Sequence, residues 1–309
     1  MAEKQQAFEL QETSMTESHR PRRSVLYMPG SNPRALEKGR SVAADALILD
    51  LEDAVAGDKK PEARGEVVRA IKKGGYGSRE IIVRINPLDT EWGMEDVRTI
   101  AKTKADAILL PKVETAEQVI ALEAMMVGAG APPEMSIMCM METPMGMLCA
   151  KQIAGASKRI SCLVMGTSDL VKDLQAQHTG MRLPVLTSLG LCLLAARAYK
   201  LAILDGVYLD LKDDEGLLES CRQGRELGFD GKTLIHPKTV DVANKVFGPS
   251  EEAIEWAQAV VVAYNAALKE GKGVAILDGK LIENLHAVEA KRILATAEAI
   301  RELEAYWGA

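Results

Sequence analysis

The chain has 309 residues, of which 47% are hydrophobic, with 38 basic and 44 acidic residues and a formal net charge of −6. This length suits one large α/β domain or two ordinary domains. The acidic balance argues against a nucleic-acid-binding face, which is basic, and no apolar run reaches the roughly 18 residues of a membrane span.

The first 20 residues have mixed charge and no apolar signal-peptide core, which predicts a flexible tail. The rest of the chain contains all of the cysteines, an odd number without close C-x-x-C spacing: Cys139, Cys149, Cys162, Cys192 and Cys221. This usage predicts free thiols, buried in the case of Cys139 and Cys162, and a reducing compartment. We expect a cytoplasmic protein.

Short apolar runs alternate with amphipathic helical stretches along most of the chain. The runs are SVLYM (24–28), DALILDL (45–51), IIVRI (81–85), AILLP (107–111), SIMCMM (136–141), CLVM (162–165), GVYLDL (206–211) and KTLIH (232–236). They show little polar alternation, which is typical of parallel strands covered on both faces. Eight such units predict a (β/α)8 TIM barrel over residues 21–245. A doubly wound open sheet is the alternative, but no glycine-rich phosphate motif follows the first run.

Residues 246–309 form a predicted C-terminal extension. A capped helix begins near Ser250, a hairpin-like excursion surrounds Asp278 and Gly279, and a last helix runs from about Leu285 to Ala305. The extension is too short for an independent enzyme domain. We expect it to act as a lid or as a subunit-contact element.

Polar residues end or follow the apolar runs at the points where strands should end. In chain order they are Pro29, Gly30, Ser31 and Asn32; Asp50, Glu52 and Asp53; Arg84 and Asn86; Lys112; Glu142 and Thr143; Thr167, Ser168 and Asp169; Asp210; and His236. In a TIM barrel the active site lies at the carboxyl ends of the strands. The sequence therefore predicts one ring of functional side chains.

Within this ring, Glu142 and Asp169 follow neighbouring strands. Mg²⁺ takes one or two protein carboxylates and fills its remaining positions with water and substrate oxygens, so these two residues are candidate ligands. Glu52 and Asp53 are candidates for contacts with the metal's waters. The planar guanidinium of Arg84 suits a substrate carboxylate. A cation and an arginine together indicate a site for a small oxo or hydroxy acid.

The first loop, PGSNPRALEKGR, carries a possible anion site. Arg34 and Lys38 lie one helical turn apart, which predicts either a phosphate clamp or an ordinary solvated helix face. The N–H groups at the helix start would favour a phosphate.

Seven segments, in this order, resemble the citrate lyase β-subunit-like CoA-ester lyases of the HpcH/HpaI aldolase superfamily. They are VLYMPGSNPRALEK, LDLEDAV, VRIN, LPKVE, METPMGM, GTSDL and GFDGKTLIHP, and the similarity extends over about residues 22–305. The resemblance implies a barrel that depends on Mg²⁺ or Mn²⁺, acts on a small-molecule CoA thioester and assembles as a homotrimer or homohexamer.

The same resemblance implies roles for individual residues. Glu142 and Asp169 become the metal ligands, Arg84 holds the oxo-acid carboxylate, and Glu52 joins Arg84 among the catalytic residues. The residues lining the CoA site would be Tyr27, Pro29, Gly30, Ser31, Asn32, Arg34 and Lys38, with Ile235 and His236 against the thioester.

The segment LIENLH (281–286) departs from the lyase pattern. The resemblance places a catalytic aspartate there, supplied to a neighbouring subunit's site, whereas this chain has Glu283. With TEWGMED and DGKLIENLH, it is most similar to the branch that hydrolyses (3S)-malyl-CoA to malate and CoA. A longer acid could hold water as a general base, with His286 orienting it. Alternatively, Glu283 and His286 simply begin the last helix.

Two further functions stay open for this chain. One is retro-Claisen cleavage of malyl-CoA or citramalyl-CoA to acetyl-CoA and a 2-oxo acid. The other is a citrate lyase β subunit that works only within a complex.

Overall fold

The computed structural model describes residues 20–307, which form two compact units: residues 22–247, and residues 248–307 together with residues 20–21. The predicted tail, apart from residue 20, lies outside the described residues.

The first unit is built on a closed parallel barrel in which each strand pairs with the next and the eighth pairs with the first. The strands are β1 (Ser24–Pro29), β2 (Ala46–Asp50), β3 (Glu80–Arg84), β4 (Ala107–Leu110), β5 (Ser136–Met141), β6 (Ile160–Met165), β7 (Ala202–Asp205) and β8 (Gly231–Leu234). This topology confirms the predicted TIM barrel.

One or two helices follow each of these strands along the chain. They are α1 (Pro33–Lys38), α2 (Lys60–Lys73), α3 (Gly93–Ile100), α4 (Ala116–Gly128), α5 (Pro144–Leu148), α6 (Ala150–Ala154), α7 (Thr167–Asp173), α8 (Leu186–Ala198), α9 (Asp214–Leu227) and α10 (Val240–Phe247). Pro33, Pro61 and Pro144 lie in the first turns of α1, α2 and α5, where a missing backbone N–H costs no hydrogen bond.

Strand side chains alternate between the barrel interior and the layer beneath the helices. Val25, Ile48, Ile82, Leu109 and Val164 belong to the interior cluster, while a larger cluster packs between strands and helices. The unalternating apolar runs are explained by burial on both faces. Because all eight strands are parallel, their carboxyl ends meet at one rim.

The seventh strand differs from its prediction. The strand is Ala202–Asp205, and the predicted run GVYLDL (206–211) lies beyond it. Leu204 pairs with Gly231 of β8, whereas Leu209 is half-exposed and Asp210 accepts a hydrogen bond from the backbone N–H of Lys212 in a turn. LAILDGVYLDL carries an apolar stretch on each side of Asp205 and Gly206, so composition alone could not place the strand within it. Asp210 therefore does not end a strand.

The second unit contains α11 (Glu251–Lys269), β9 (Ala275–Leu277), β10 (Lys280–Ile282) and α12 (Asn284–Ala305). Ser250 caps α11 by accepting a hydrogen bond from the N–H of Ala253. Asp278 and Gly279 both have positive φ, as a two-residue hairpin turn requires. None of the helices within residues 20–307 is both long and apolar enough to cross a membrane.

Candidate active site

Charged side chains meet at the carboxyl rim of the barrel, and Arg84 at the end of β3 lies at their centre. Its Nε and Nη2 donate to the two oxygens of Asp50 at 2.7 and 2.6 Å, and its Nη1 lies 2.8 Å from Oε2 of Glu52. Burial alone would lower the pKa of Arg84, but its hydrogen bonds to Asp50 and the surrounding negative charge raise it well above the usual value. Arg84 is therefore a permanent buried cation.

The position of Arg84 limits which edge of its guanidinium could bind the substrate carboxylate expected from the sequence. Its Nε–Nη2 edge is already engaged by Asp50, a residue of the predicted ring to which the sequence assigned no role. A substrate carboxylate would have to approach the other edge, formed by Nη1 and Nη2.

Glu52 is buried beside Arg84 and is also bound by Lys112. Oε1 of Glu52 accepts a hydrogen bond from Lys112 Nζ at 2.7 Å. Its Oε2 is buried and receives no well-directed hydrogen bond, although it forms the ion pair with Arg84. Burial raises the pKa of Glu52, while the charges of Arg84 and Lys112 oppose the shift. Glu52 is thus held between two cations.

Glu142 follows β5 and is almost fully buried. Its Oε1 accepts a hydrogen bond from the backbone N–H of Lys112 at 2.7 Å. A Cβ on Gly166, at the end of β6, would lie 2.5 Å from both Cβ and Oε2 of Glu142, so only glycine leaves room for this carboxylate. Oε2 therefore faces the end of β6, where α7 begins.

The pKa of Glu142 reflects its neighbours. Burial raises it to about 7, the negative charges of Glu52 and Asp169 act in the same direction, and the Lys112 N–H opposes them. Asp169, in the first turn of α7, is partly exposed. The two carboxylates therefore repel each other, and a cation bound between them would offset the repulsion.

Within residues 20–307 no group of three or more His, Cys, Asp or Glu residues is arranged to hold a metal ion. Two carboxylates nevertheless suit Mg²⁺, which keeps most of its water. A structural zinc site of four ligands does not fit the described residues.

The residues predicted to line a CoA site occupy two environments. The Tyr27 ring lies over the Arg84 guanidinium, 5.0 Å from its Cζ, and burial raises the pKa of the phenol. Tyr27 therefore belongs to the charged cluster around Arg84. By contrast, the residues that follow β1 reach the surface. Gly30 is buried and Pro29 is partly exposed, whereas Ser31, Asn32, Arg34 and Lys38 are exposed.

Local hydrogen bonds shape both predicted CoA-binding loops. Oδ1 of Asn32 caps α1 by accepting from the N–H groups of Arg34 and Ala35. After β8, Ile235 and His236 are exposed, and Nδ1 of His236 accepts from the N–H of Lys238. The side chains of Arg34 and Lys38 remain open to an anion.

Glu283 and His286 form a capping box at the start of α12. The Glu283 carboxylate accepts from the His286 backbone N–H, and Nδ1 of His286 accepts from the Glu283 backbone N–H at 3.0 Å. The ring therefore binds the backbone of Glu283, and the expected orientation of the carboxylate by His286 stays a prediction. Glu283 itself is exposed.

Lys112 contacts both buried acids, yet the sequence assigned it no role. Its position directly after β4 and Pro111 was the available clue in the sequence, but its contacts with both acids depend on its backbone conformation.

All five cysteines are free, and Cys139 and Cys162 are buried, as predicted.

Comparison with known proteins gives the family of this chain. A sequence profile described as HpcH/HpaI aldolase/citrate lyase matches residues 23–237. The chain belongs to this family. It is 50% identical to a (3S)-malyl-CoA thioesterase of Cereibacter sphaeroides, covering 94% of this chain and 100% of that protein. It is 35% identical to the citrate lyase subunit beta of Escherichia coli, covering 92% of this chain and 96% of that subunit.

A solved structure is also similar. The chain superposes with a TM-score of 0.72 and 31% identity on the CitE protein of Mycobacterium tuberculosis in complex with magnesium, acetoacetate and coenzyme A, covering 89% of this chain and 97% of that chain. These similarities confirm the family resemblance predicted from the seven motifs.

Proposed function

We propose that this protein is a Mg²⁺-dependent enzyme that hydrolyses (3S)-malyl-CoA to malate and CoA. The observation that carries this proposal is the 50% identity to a (3S)-malyl-CoA thioesterase over the full length of that relative. The buried Arg84 and the paired acids at the rim suit the malyl end of such a substrate.

The carboxylate pair fits magnesium, which the similar M. tuberculosis structure contains. Glu142 and Asp169 would hold the ion. Mn²⁺ could replace Mg²⁺, because carboxylate oxygens are hard ligands that suit both metals. When bound, the metal supplies a positive charge that stabilises a developing oxyanion.

The chain's own residues position the acid portion. Arg84 presents its Nη1–Nη2 edge to the carboxylate, and Nη1 on this edge also contacts Glu52 and Asp53. Asp50 prevents rotation of the guanidinium through two hydrogen bonds. Glu52, held between Arg84 and Lys112, would contact the waters of the metal. Tyr27 excludes water from one face of Arg84.

Glu283 is the proposed general base for the attacking water. Its exposure leaves the second oxygen of the carboxylate available beyond the capping hydrogen bond. A lyase must instead protonate an enolate carbon, and the extra methylene of Glu relative to Asp displaces the acid by about 1 Å, a misplacement that can lower a rate by roughly 10²-fold. This difference favours hydrolysis over cleavage.

The deciding experiment gives the purified enzyme (3S)-malyl-CoA and measures free thiol and trapped glyoxylate together. We expect thiol without glyoxylate. Stoichiometric glyoxylate with intact acetyl-CoA would instead establish a retro-Claisen lyase, which the 35% identity to a citrate lyase β subunit supports as the second candidate. Inactivity on free thioesters, with activity on an acyl-carrier partner, would indicate a subunit of a larger complex.

The capping box allows a clean test of Glu283. Glu283→Gln retains an oxygen that can accept the His286 N–H, so the melting temperature should stay unchanged. It removes the basic carboxylate, so we expect thiol release to fall roughly 10²-fold, as for loss of a general base. Wild-type hydrolysis in this variant would show that Glu283 only caps α12.

Arg34 and Lys38 are proposed to bind CoA phosphates outside the reacting centre. Arg34→Ala and Lys38→Ala should each raise KM about 2- to 5-fold and leave kcat unchanged, because exposed charge pairs contribute modestly. The control is Lys104→Ala, an exposed lysine before β4. A fall in kcat at constant KM would contradict this assignment.

We also propose a homotrimer or homohexamer in which the C-terminal extension reaches a neighbouring subunit. Ile276 and Leu281 pair across the hairpin and are largely exposed, as is Leu285. Contiguous apolar residues of this kind favour a protein contact. Light scattering of the purified protein should give the mass of three or six chains.

The free cysteines suit a reducing compartment, and the cytoplasm is the proposed location.

A further inference from the structure

We propose that Lys112 is the positioning residue that orients Glu142 for the metal ion, and that it does so through its left-handed backbone. This inference rests on the proposed function, because it assumes that Glu142 binds a cation. It concerns a residue that touches neither the substrate nor the metal in that proposal.

Lys112 has a φ of 50°, in the left-handed region that residues other than glycine, asparagine and aspartate rarely adopt. It follows Pro111 directly after β4, and the next residue, Val113, donates its N–H to the carbonyl of Met140 on β5 at 3.2 Å. The turn at residue 112 is thus fixed from both sides. Backbone conformations of this kind often occur at functional sites.

In this conformation the Lys112 N–H points at Oε1 of Glu142 and lies 2.7 Å from it. A hydrogen bond to a buried carboxylate is charge-assisted and directional. It occupies Oε1 and leaves Oε2 facing the end of β6, where the first turn of α7 carries Asp169. The backbone of Lys112 therefore selects which oxygen is presented to a cation.

The side chain of Lys112 has a separate role. Its Nζ donates a hydrogen bond to Oε1 of Glu52 at 2.7 Å. One residue thus contacts both buried carboxylates, Glu142 through its main chain and Glu52 through its ammonium. The two contacts can be separated by mutation, because only the first requires the left-handed backbone.

Lys112→Asn and Lys112→Thr form the test pair. Both remove the ammonium, but asparagine accepts left-handed backbone and β-branched threonine does not. Lys200 provides the control, since it has a φ of 58° and immediately precedes Leu201 at the amino end of β7, the opposite rim. Lys200→Asn and Lys200→Thr impose the same backbone change away from the site.

The measurement is Mn²⁺ binding, followed by the electron paramagnetic resonance signal of the free ion, with the melting temperature of each variant. We expect Lys112→Thr to weaken Mn²⁺ at least about 10-fold, the effect of losing an outer contact to a metal ligand. Lys112→Asn should stay within about threefold of wild type. Both Lys200 variants should bind Mn²⁺ as wild type does, whatever their melting temperatures.

Two results would overturn the inference alone. One is equal Mn²⁺ affinity in Lys112→Thr and Lys200→Thr, and the other is a 10-fold loss in Lys112→Asn, which counts even if Lys112→Thr fails to fold. Absence of Mn²⁺ binding in the wild-type protein would instead overturn the metal assignment together with this inference.

Discussion

Glu142→Gln should lower turnover by at least about 10³-fold, because the bound cation contributes several kcal/mol of charge stabilisation that this ligand makes possible. The substitution keeps the shape of the side chain and an oxygen that can accept the Lys112 N–H. Asp169→Asn should have a comparable effect. Activity on (3S)-malyl-CoA and Mn²⁺ binding are measured together, and excess EDTA should abolish wild-type activity.

The control for this prediction is Asp173→Asn, four residues beyond Asp169 on α7 and exposed. It changes the same charge and should leave turnover within twofold, an effect typical of surface substitutions. Full activity of Glu142→Gln, or of the wild-type enzyme in EDTA, would remove the metal from the mechanism.

The metal-free protein offers a second check of Glu142. Its pKa of about 7 lies above the ordinary value of 4.5, so the folded state binds its proton more tightly than the unfolded chain. The stability that this group contributes is present below pH 4.5 and is lost as the pH rises through 7. At pH 8 in EDTA, Glu142→Gln should therefore melt no lower than wild type, which separates lost activity from lost folding.

Arg84→Lys should reduce kcat/KM by roughly 10²-fold, because an ammonium cannot hold Asp50 and also present a planar edge to a substrate carboxylate. The variant also leaves acceptors on Asp50 or Glu52 with weaker partners in a buried site, at a cost of about 1–3 kcal/mol in the free energy of unfolding. Steady-state kinetics and thermal melting measure the two effects.

The matched control lies at the other end of β2. Arg23 donates through Nε and Nη2 to both oxygens of Asp45 at 2.9 Å, and both residues are buried. Arg23→Lys should therefore lower stability by a similar amount and leave kcat/KM nearly unchanged, since it lies at the amino ends of the strands. Equal kinetic losses in both variants would assign Arg84 a purely structural role.

The barrel could be predicted because strand burial on both faces leaves a local signal, the unalternating apolar run. The predicted site residues could be grouped for a similar reason, since Glu52, Arg84 and Glu142 lie at or just beyond the carboxyl ends of parallel strands that must end at one rim. The hairpin at Asp278 and Gly279 follows from the backbone preferences of two adjacent residues.

The local sequence pattern did not predict the structure where two arrangements were possible and tertiary contacts decided between them. Within LAILDGVYLDL either half is apolar enough for a strand, and pairing of Leu204 with Gly231 decides for the first half. His286 could bind the carboxylate or the backbone of Glu283, and helix geometry at the start of α12 decides for the backbone.

The sequence by itself determined the fold, the family and most of the residues at the rim, Asp210 excepted, because each depends on residue type and order along the chain. Only the tertiary structure decided how those residues are connected. Asp50 engages one edge of Arg84, and Lys112 reaches Glu142 through its main chain and Glu52 through its side chain. Such contacts join strands 30 or more residues apart and depend on a φ angle and a few ångströms, which residue order does not encode locally.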